Sequence, residues 1–308
     1  MLWAIIGGIF GFFLLILIFI FIVGERSILL LSSTNQFFKE SGWRQFLKLH
    51  SLHGYIYLRW TDRYIHLCTS VIAPIFKKQA VDWLADRYHG KVISHDAAKA
   101  IITIEKDIPL TDLEQIIPYP TARELVLQGS PDILISECPC RSFRENPCKP
   151  TQVCMIIGQP FVDFKLEHSP NTSKLINKEE ALKLLEEEHL RGHIHSAWFR
   201  DVALNRFLAI CNCCKCCCSG VEGMVKYHSR TMSSSGYVSQ LDDDQCVSCG
   251  SCKDLCAFEA ISFNGEGPII NWEKCLGCGV CTTQCPNNAL SLVRDERKGL
   301  PLDVRMLS

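Results

Sequence analysis

The first 23 residues, MLWAIIGGIFGFFLLILIFIFIV, carry no charged side chain. At helical rise such a run reaches about 30 Å, the thickness of one hydrocarbon core, so the pattern predicts a transmembrane helix over 1–23. A cleaved signal peptide would have a basic start, a shorter apolar core and small residues at its end. Here nothing basic precedes the run, and it closes on bulky residues before Gly24-Glu25-Arg26. Arg26, Lys39, Arg44 and Lys48 follow it, and the positive-inside rule then places the body of the chain in the cytoplasm. Gly7 and Gly11 form one GxxxG, a weak dimerisation signal by itself. Between 34 and 76, Phe37, Phe38, Trp43, Phe46, Tyr55, Tyr57, Trp60 and Tyr64 are interleaved with basic residues. That pattern fits a helical core or a surface resting against a membrane.

Farther along, Val81, Leu84, Ala85 and Tyr88 recur at helical spacing, predicting an amphipathic helix over 79–89 stopped by Gly90. Val92-Ile93 and Ile101 to Ile104 read as short strands, as does the apolar run Ile133-Leu134-Ile135. Thr111 with Glu114 and Thr121 with Glu124 have capping-box spacing, with Pro118 and Pro120 between them. Asn177 with Glu180 opens a further helix that turns Ala181, Leu184 and Leu185 inward and ends before Gly192. Residues 229–237, SRTMSSSGY, are small and polar and read as a linker. Beyond it, 260–263, 268–270 and 289–293 read as strands, the first two joined by a turn at 264–267.

Charge changes this picture little. Thirty-two Lys and Arg face 33 Asp and Glu, so the composition carries no nucleic-acid signal. Cysteine changes it a great deal. There are nineteen, in tight C-x-C, C-C and C-x2-C groups that make poor disulfide frameworks and good soft-metal ligands. This usage points to a reducing compartment with thiolates kept for metal. Cys68 stands alone and reads as a small buried apolar residue.

Eight cysteines fall into two runs of identical spacing: Cys246, Cys249, Cys252, Cys256, and Cys275, Cys278, Cys281, Cys285. Matching cysteines stand 29 residues apart at all four positions, so the runs are an internal repeat. A C-x2-C-x2-C loop wraps three thiolates around one corner of an iron–sulfur cubane, and the fourth cysteine serves the other cluster. Zinc ribbons use widely separated C-x2-C pairs instead. The arrangement resembles the bacterial two-[4Fe-4S] ferredoxin family. The resemblance implies one cluster on Cys246, Cys249, Cys252 and Cys285, and another on Cys275, Cys278, Cys281 and Cys256. Pro286 follows Cys285 as in the family, whereas Ala257 follows Cys256. Proline is not a ligand there, so the change leaves the expected site intact.

A second cysteine region precedes the repeat. It comprises Cys138, Cys140, Cys148 and Cys154, then Cys211, Cys213, Cys214, Cys216, Cys217 and Cys218. Six thiols in eight residues repel as thiolates and oxidise readily unless metal neutralises them. The rival reading is a redox-sensing thiol patch. The CPCR…CNCCKCCC pattern is similar to that of a group of ferredoxin-domain proteins over about 120–295, a likeness that implies no reaction for its first half. All ten cysteines are candidates for a third centre, iron–sulfur or zinc. The simplest ligand set is Cys138, Cys140, Cys148 and Cys154, with the second patch an alternative source of ligands. Arg141 and Lys215 lie within the patches and can offset thiolate charge. His193 and His195 are further candidates, surface histidine being the commoner outcome.

The expected fold is α+β, with an anchor at 1–23, a helical and mixed unit at 24–135 and a cysteine-rich unit at 136–228. The linker 229–237 leads to a dicluster ferredoxin module at 238–295 and a tail at 296–308. The expected function is membrane-anchored electron transfer, facing the cytoplasm, between redox protein partners. The competing class is a redox enzyme with a catalytic cluster in the cysteine-rich unit. No nicotinamide, flavin or P-loop fingerprint accompanies it.

Overall fold

A computed structural model describes residues 15, 18–25, 29–42, 49–105, 108–110, 125–127, 131–201, 203–204, 206–264 and 267–306. Described residues 18–25 are helical, and they are followed by helices α1 (Ser32–Ser41), α2 (His50–Arg59), α3 (Thr61–His66) and α4 (Ala73–Ala85). Strand β1 (Tyr88–Val92) and helix α5 (His95–Ile102) follow, then the paired short strands β2 (Ile108–Leu110) and β3 (Leu125–Leu127). Next come β4 (Ile133–Glu137), α6 (Pro139–Ser142), β5 (Gln152–Ile157), α7 (Phe161–His168), β6 (Ser173–Ile176) and α8 (Lys178–Leu190). The sequence continues with β7 (Ile194–Arg200), β8 (Arg206–Cys213), α9 (Ser219–Tyr227) and β9 (Met232–Ser233). The C-terminal part holds β10 (Tyr237–Leu241), α10 (Ser251–Leu255), β11 (Ile261–Phe263), β12 (Pro268–Ile270), α11 (Val280–Thr283) and β13 (Leu290–Arg294).

Seven strands form one sheet in the order β6-β4-β5-β8-β7-β1-β9. Its pairings are antiparallel except the parallel edge pair β1–β9. Central strand β7 is buried at every position because helices cover both faces of the sheet. On one face Ala97, Ile101, Ala181 and Leu185 of α5 and α8 pack against Ile133, Met155, Ala197 and Ile210. On the other, Phe37, Tyr55 and Tyr57 pack with Phe161 and Phe164 of α7 against Leu208 and Ala209. The described aromatics of the 34–76 stretch therefore supply a helical core. Cys68 is buried, as an isolated small apolar residue would be.

Several expectations need correction. Among the described residues no helix is long and apolar enough to cross a membrane. The transmembrane helix expected over 1–23, and the cytoplasmic-membrane placement and membrane partner built on it, are not supported. Residues 1–14, 16 and 17, including Gly7 and Gly11, lie outside the described residues. The stretch 101–104 is not a strand. Ser94 caps α5 by accepting from Ala97 N–H, and the alanine-rich run carries Ile101 and Ile102 inward on a helix. The amphipathic helix ends at Ala85, and Tyr88 already belongs to β1. The expected capping boxes at 111–114 and 121–124 lie outside the described residues. Asn177 and Glu180 do form a reciprocal capping box on α8.

The stretch 229–237 is partly built into the fold. Met232 and Ser233 pair with Gly90 and Lys91, and Ser235 Oγ donates to Gly277 O at 2.7 Å. The C-terminal residues dock as well: Leu302 and Val304 join the core, and Lys91 Nζ donates to Leu300 O at 2.8 Å.

Candidate metal centres

The 29-residue repeat has a structural counterpart. Strand β10 pairs with β13, and β12 pairs with β11, so each half contributes one strand to each hairpin-like pair. Helices α10 and α11 begin after Gly250 and Gly279, which both have positive φ. Ser248 and Gly277 form another equivalent pair with positive φ, as do Glu259 and Asn288. At Gly277 a β-carbon would lie 2.2 Å from Tyr237 O, so only glycine allows β10 to pass this close to the second cysteine loop.

These turns set the cysteines around two cavities. Cys246, Cys249, Cys252 and Cys285 line one, with Phe263, Pro286 and Leu290. Cys256, Cys275, Cys278 and Cys281 line the other, with Phe258, Ile261 and Leu276. Each cavity thus takes three sulfurs from one run and one from the other. Backbone amides point at the sulfurs. Ala260 N–H donates to Cys256 Sγ and its equivalent Ala289 N–H to Cys285 Sγ, both at 3.3 Å. Ser248 N–H donates to Cys246 Sγ and Ser239 N–H to Cys275 Sγ, both at 3.4 Å. Such donors stabilise negative charge on thiolate sulfur. Burial pushes the Cys278 thiol above its ordinary pKa and the Cys281 thiol up to about 11, so as bare thiols both would hold their protons. All-sulfur donors, apolar walls and amide donors together fit an iron–sulfur cubane in each cavity.

The ten middle-region cysteines sort into two groups. Neighbouring thiols link Cys138 to Cys140 and Cys154, Cys140 to Cys218, Cys154 to Cys211, Cys211 to Cys213, and Cys213 to Cys218, and of these Cys154 and Cys211 are within hydrogen-bonding distance. These links close a ring of six thiols that lines a cavity of about 100 Å³, whose other walls include Cys214, Tyr57, Tyr88 and Trp198. The ring draws on the end of β4, the start of α6, the residue before α9, and strands β5 and β8, whose pairing sets Cys154 and Cys211 at 3.9 Å. Cys148, Cys214, Cys216 and Cys217 make up the second group. The set Cys138, Cys140, Cys148 and Cys154 is therefore split, with Cys148 in the second group.

Arg141 stands between the groups and is fully buried. Its Nη2 donates to Glu188 Oε2 at 3.1 Å and to Asn212 O at 2.9 Å, and its Nη1 to Pro150 O. Burial works against its charge, but negative charge at Cys214, Cys138 and Glu188 outweighs it and raises its pKa. Its Nε, also buried, has no hydrogen-bond partner, and Arg141 lines the six-thiol cavity. An orphaned cationic donor beside six thiols fits an anionic sulfur-rich group there. Lys215 Nζ instead donates to Asp254 O on the surface.

The sequence drew attention to His193 and His195, and both are buried. His193 Nδ1 lies 2.6 Å from Glu188 Oε2 and its Nε2 3.5 Å from Cys148 Sγ. His195 joins two histidines that carried no motif, His95 and His189. His95 Nδ1 meets His195 Nε2 at 3.1 Å, His195 Nδ1 meets Asn212 Oδ1 at 2.7 Å, and His189 Nε2 meets Thr283 Oγ1 at 2.7 Å. Burial lowers the His195 pKa to about 3 and that of His189 to about 4, with neighbouring charge adding to the effect, so both rings are neutral. The His95 and His189 rings stack 4.2 Å apart and nearly parallel. A shared ion would have to lie in two parallel planes at once, so the trio is a polar bridge and not a ready metal site. It connects Asn212, between Cys211 and Cys213, to Thr283, between Cys281 and Cys285. Only tertiary contact assembles it.

Residues 268–291 match the family model described as a 4Fe-4S binding domain. This stretch takes in Cys275, Cys278, Cys281 and Cys285. The C-terminal module is an iron–sulfur, ferredoxin-type electron-transfer module that holds at least one 4Fe-4S cluster. No curated protein matches the chain.

Proposed function

We propose that the protein relays electrons through two [4Fe-4S] clusters, one on Cys246, Cys249, Cys252 and Cys285 and one on Cys275, Cys278, Cys281 and Cys256. The reading is carried by the two cavities, each lined by four cysteines drawn from both halves of the repeat. A bound cubane takes up or releases one electron with little rearrangement, because its sulfides and thiolates share the charge. The chain's own part is to hold the thiolates, offer amide donors to them and wall the sites with apolar side chains. Redox proteins are the proposed partners. The six-thiol ring is a proposed third iron–sulfur centre, supported by the unpartnered Arg141 Nε. Iron and acid-labile sulfide per chain, measured on anaerobically purified protein, test this directly. About eight of each is expected from the ferredoxin module and about twelve with the third centre. Fewer than about four irons after full reconstitution would sink the reading.

A further inference from the structure

Three of the four cysteines outside the ring are gathered more tightly than any others among the described residues, and the fourth, Cys217, touches that trio through Cys216 and Cys148. The sulfurs of Cys148, Cys214 and Cys216 all lie within 4.8 Å of one another. Cys217 Sγ is 3.5 Å from Cys216 Sγ and accepts the Cys148 N–H at 3.4 Å. No three of the ferredoxin cysteines, and no three of the ring, are gathered this tightly among the described residues. The difference has a chemical meaning. A single tetrahedral ion with metal–sulfur bonds of ~2.3 Å sets its four sulfurs ~3.8 Å apart. A cubane places one thiolate on each iron and spreads them to roughly 6 Å. In the ring Cys154 and Cys211 lie 3.9 Å apart, but no three of its sulfurs fall within 4.8 Å of one another, so the ring does not close around one ion.

We propose that Cys148, Cys214, Cys216 and Cys217 form a mononuclear tetrathiolate site for one zinc or iron ion, separate from any cluster. Four thiolates on a divalent ion leave a net charge of −2. Two cations are built in beside it: Arg141, buried among Glu188, Asn212 O and Pro150 O, and Arg144, whose Nη2 donates to Cys217 O at 3.2 Å. His193 is a positioning residue, held by Glu188 through Nδ1 and presenting Nε2 to Cys148 Sγ. A carboxylate behind a histidine is a common way to orient the surroundings of a metal. Cys214 and Cys217 are buried and Cys216 is exposed, so the ion sits near the surface with one open flank.

The test is independent of the cluster reading, because cubanes contain iron and sulfide in equal number. In anaerobically purified full-length protein, zinc plus iron should exceed acid-labile sulfide by about one per chain. X-ray absorption at the edge of the excess metal should show four sulfur neighbours and no metal neighbour. The Cys214→Ser/Cys217→Ser variant should lose that metal and keep its sulfide and cluster EPR signals. Cys216→Ser, at an exposed position that does not load the core, should release the metal to a chelating dye at least about tenfold faster than wild type. An absent excess in wild type, a nitrogen among the neighbours, an excess retained in the double variant, or wild-type release rates in Cys216→Ser would each overturn the site. Absent sulfide with the excess metal intact would instead remove the cluster reading and leave this one standing.

Discussion

Single residues decide what each centre can hold. Cys256 and Cys285 are the cysteines that cross between the two halves, so replacing either with serine should affect the cavity of the opposite run. Cys285→Ser is expected to lose about four irons and their sulfides, leaving the Cys256 cavity loaded, as iron analysis and EPR would read. Gly277→Ala should be far more damaging than its size implies. Its φ is +64° and the added carbon would meet Tyr237 O, so a loss of cluster together with a lower melting temperature is expected. Lys91 carries a pH signature outside the metal sites. Burial, followed by the Arg294 charge, lowers its pKa to about 7, against about 10.4 in an unfolded chain. Between those values the unfolded state binds a proton that the folded state does not, so stability rises with pH across the window. Lys91→Met should remove that slope, and the difference between variant and wild-type unfolding midpoints from pH 7 to 9 measures it.

Elements were legible where their signals are local. The α8 capping box needs only Asn177 and Glu180, three residues apart, and the structure holds both of its hydrogen bonds. Asn177→Ala should cost about 1 kcal/mol, readable in a denaturant melt. Part of that loss should reach the cysteine-rich region, because α8 delivers Glu188 and His189 from its last turn. The strand expected at 101–104 failed for the converse reason. Four mostly β-branched residues look like a strand by themselves, but Ser94 and the alanines before them had already started a helix. Periodicity in so short an apolar run does not separate the two. The site histidines divide in the same way. His193 and His195 drew attention by their place near the helix end, whereas His95 lies a hundred residues from its partner His195.

At the scale of the whole molecule, one apolar cluster joins the sheet to the C-terminal module. Val92, Ile194, Trp198, Val221 and Met232 pack with Ala257, Phe258, Leu276 and Val280. Phe258 lines the Cys256 cavity as well. Phe258→Ala should therefore cost about 3–5 kcal/mol and also loosen the module, seen as faster iron release to a chelator at a temperature where wild type is stable. The 4Fe-4S binding module was readable along the chain because a repeated C-x2-C-x2-C-x3-C run encodes its loop geometry within a dozen residues. The middle-region cysteines stood out along the chain as candidate metal ligands for a similarly local reason, the crowding of six thiols into eight residues. A long apolar run, by contrast, states a composition without stating what covers it, and no described helix of this chain has the length and character to span a membrane. The separation of Cys148, Cys214 and Cys216, gathered within 4.8 Å, from the wider ring of six was decided only in three dimensions. Neighbours Cys213 and Cys214 both line the large cavity yet contact different cysteines, and Cys148 meets Cys217 across 69 residues. Sulfur-to-sulfur distance separates a one-ion site from a cluster site, and distance across a fold is a property of strand pairing and packing, not of order along the chain.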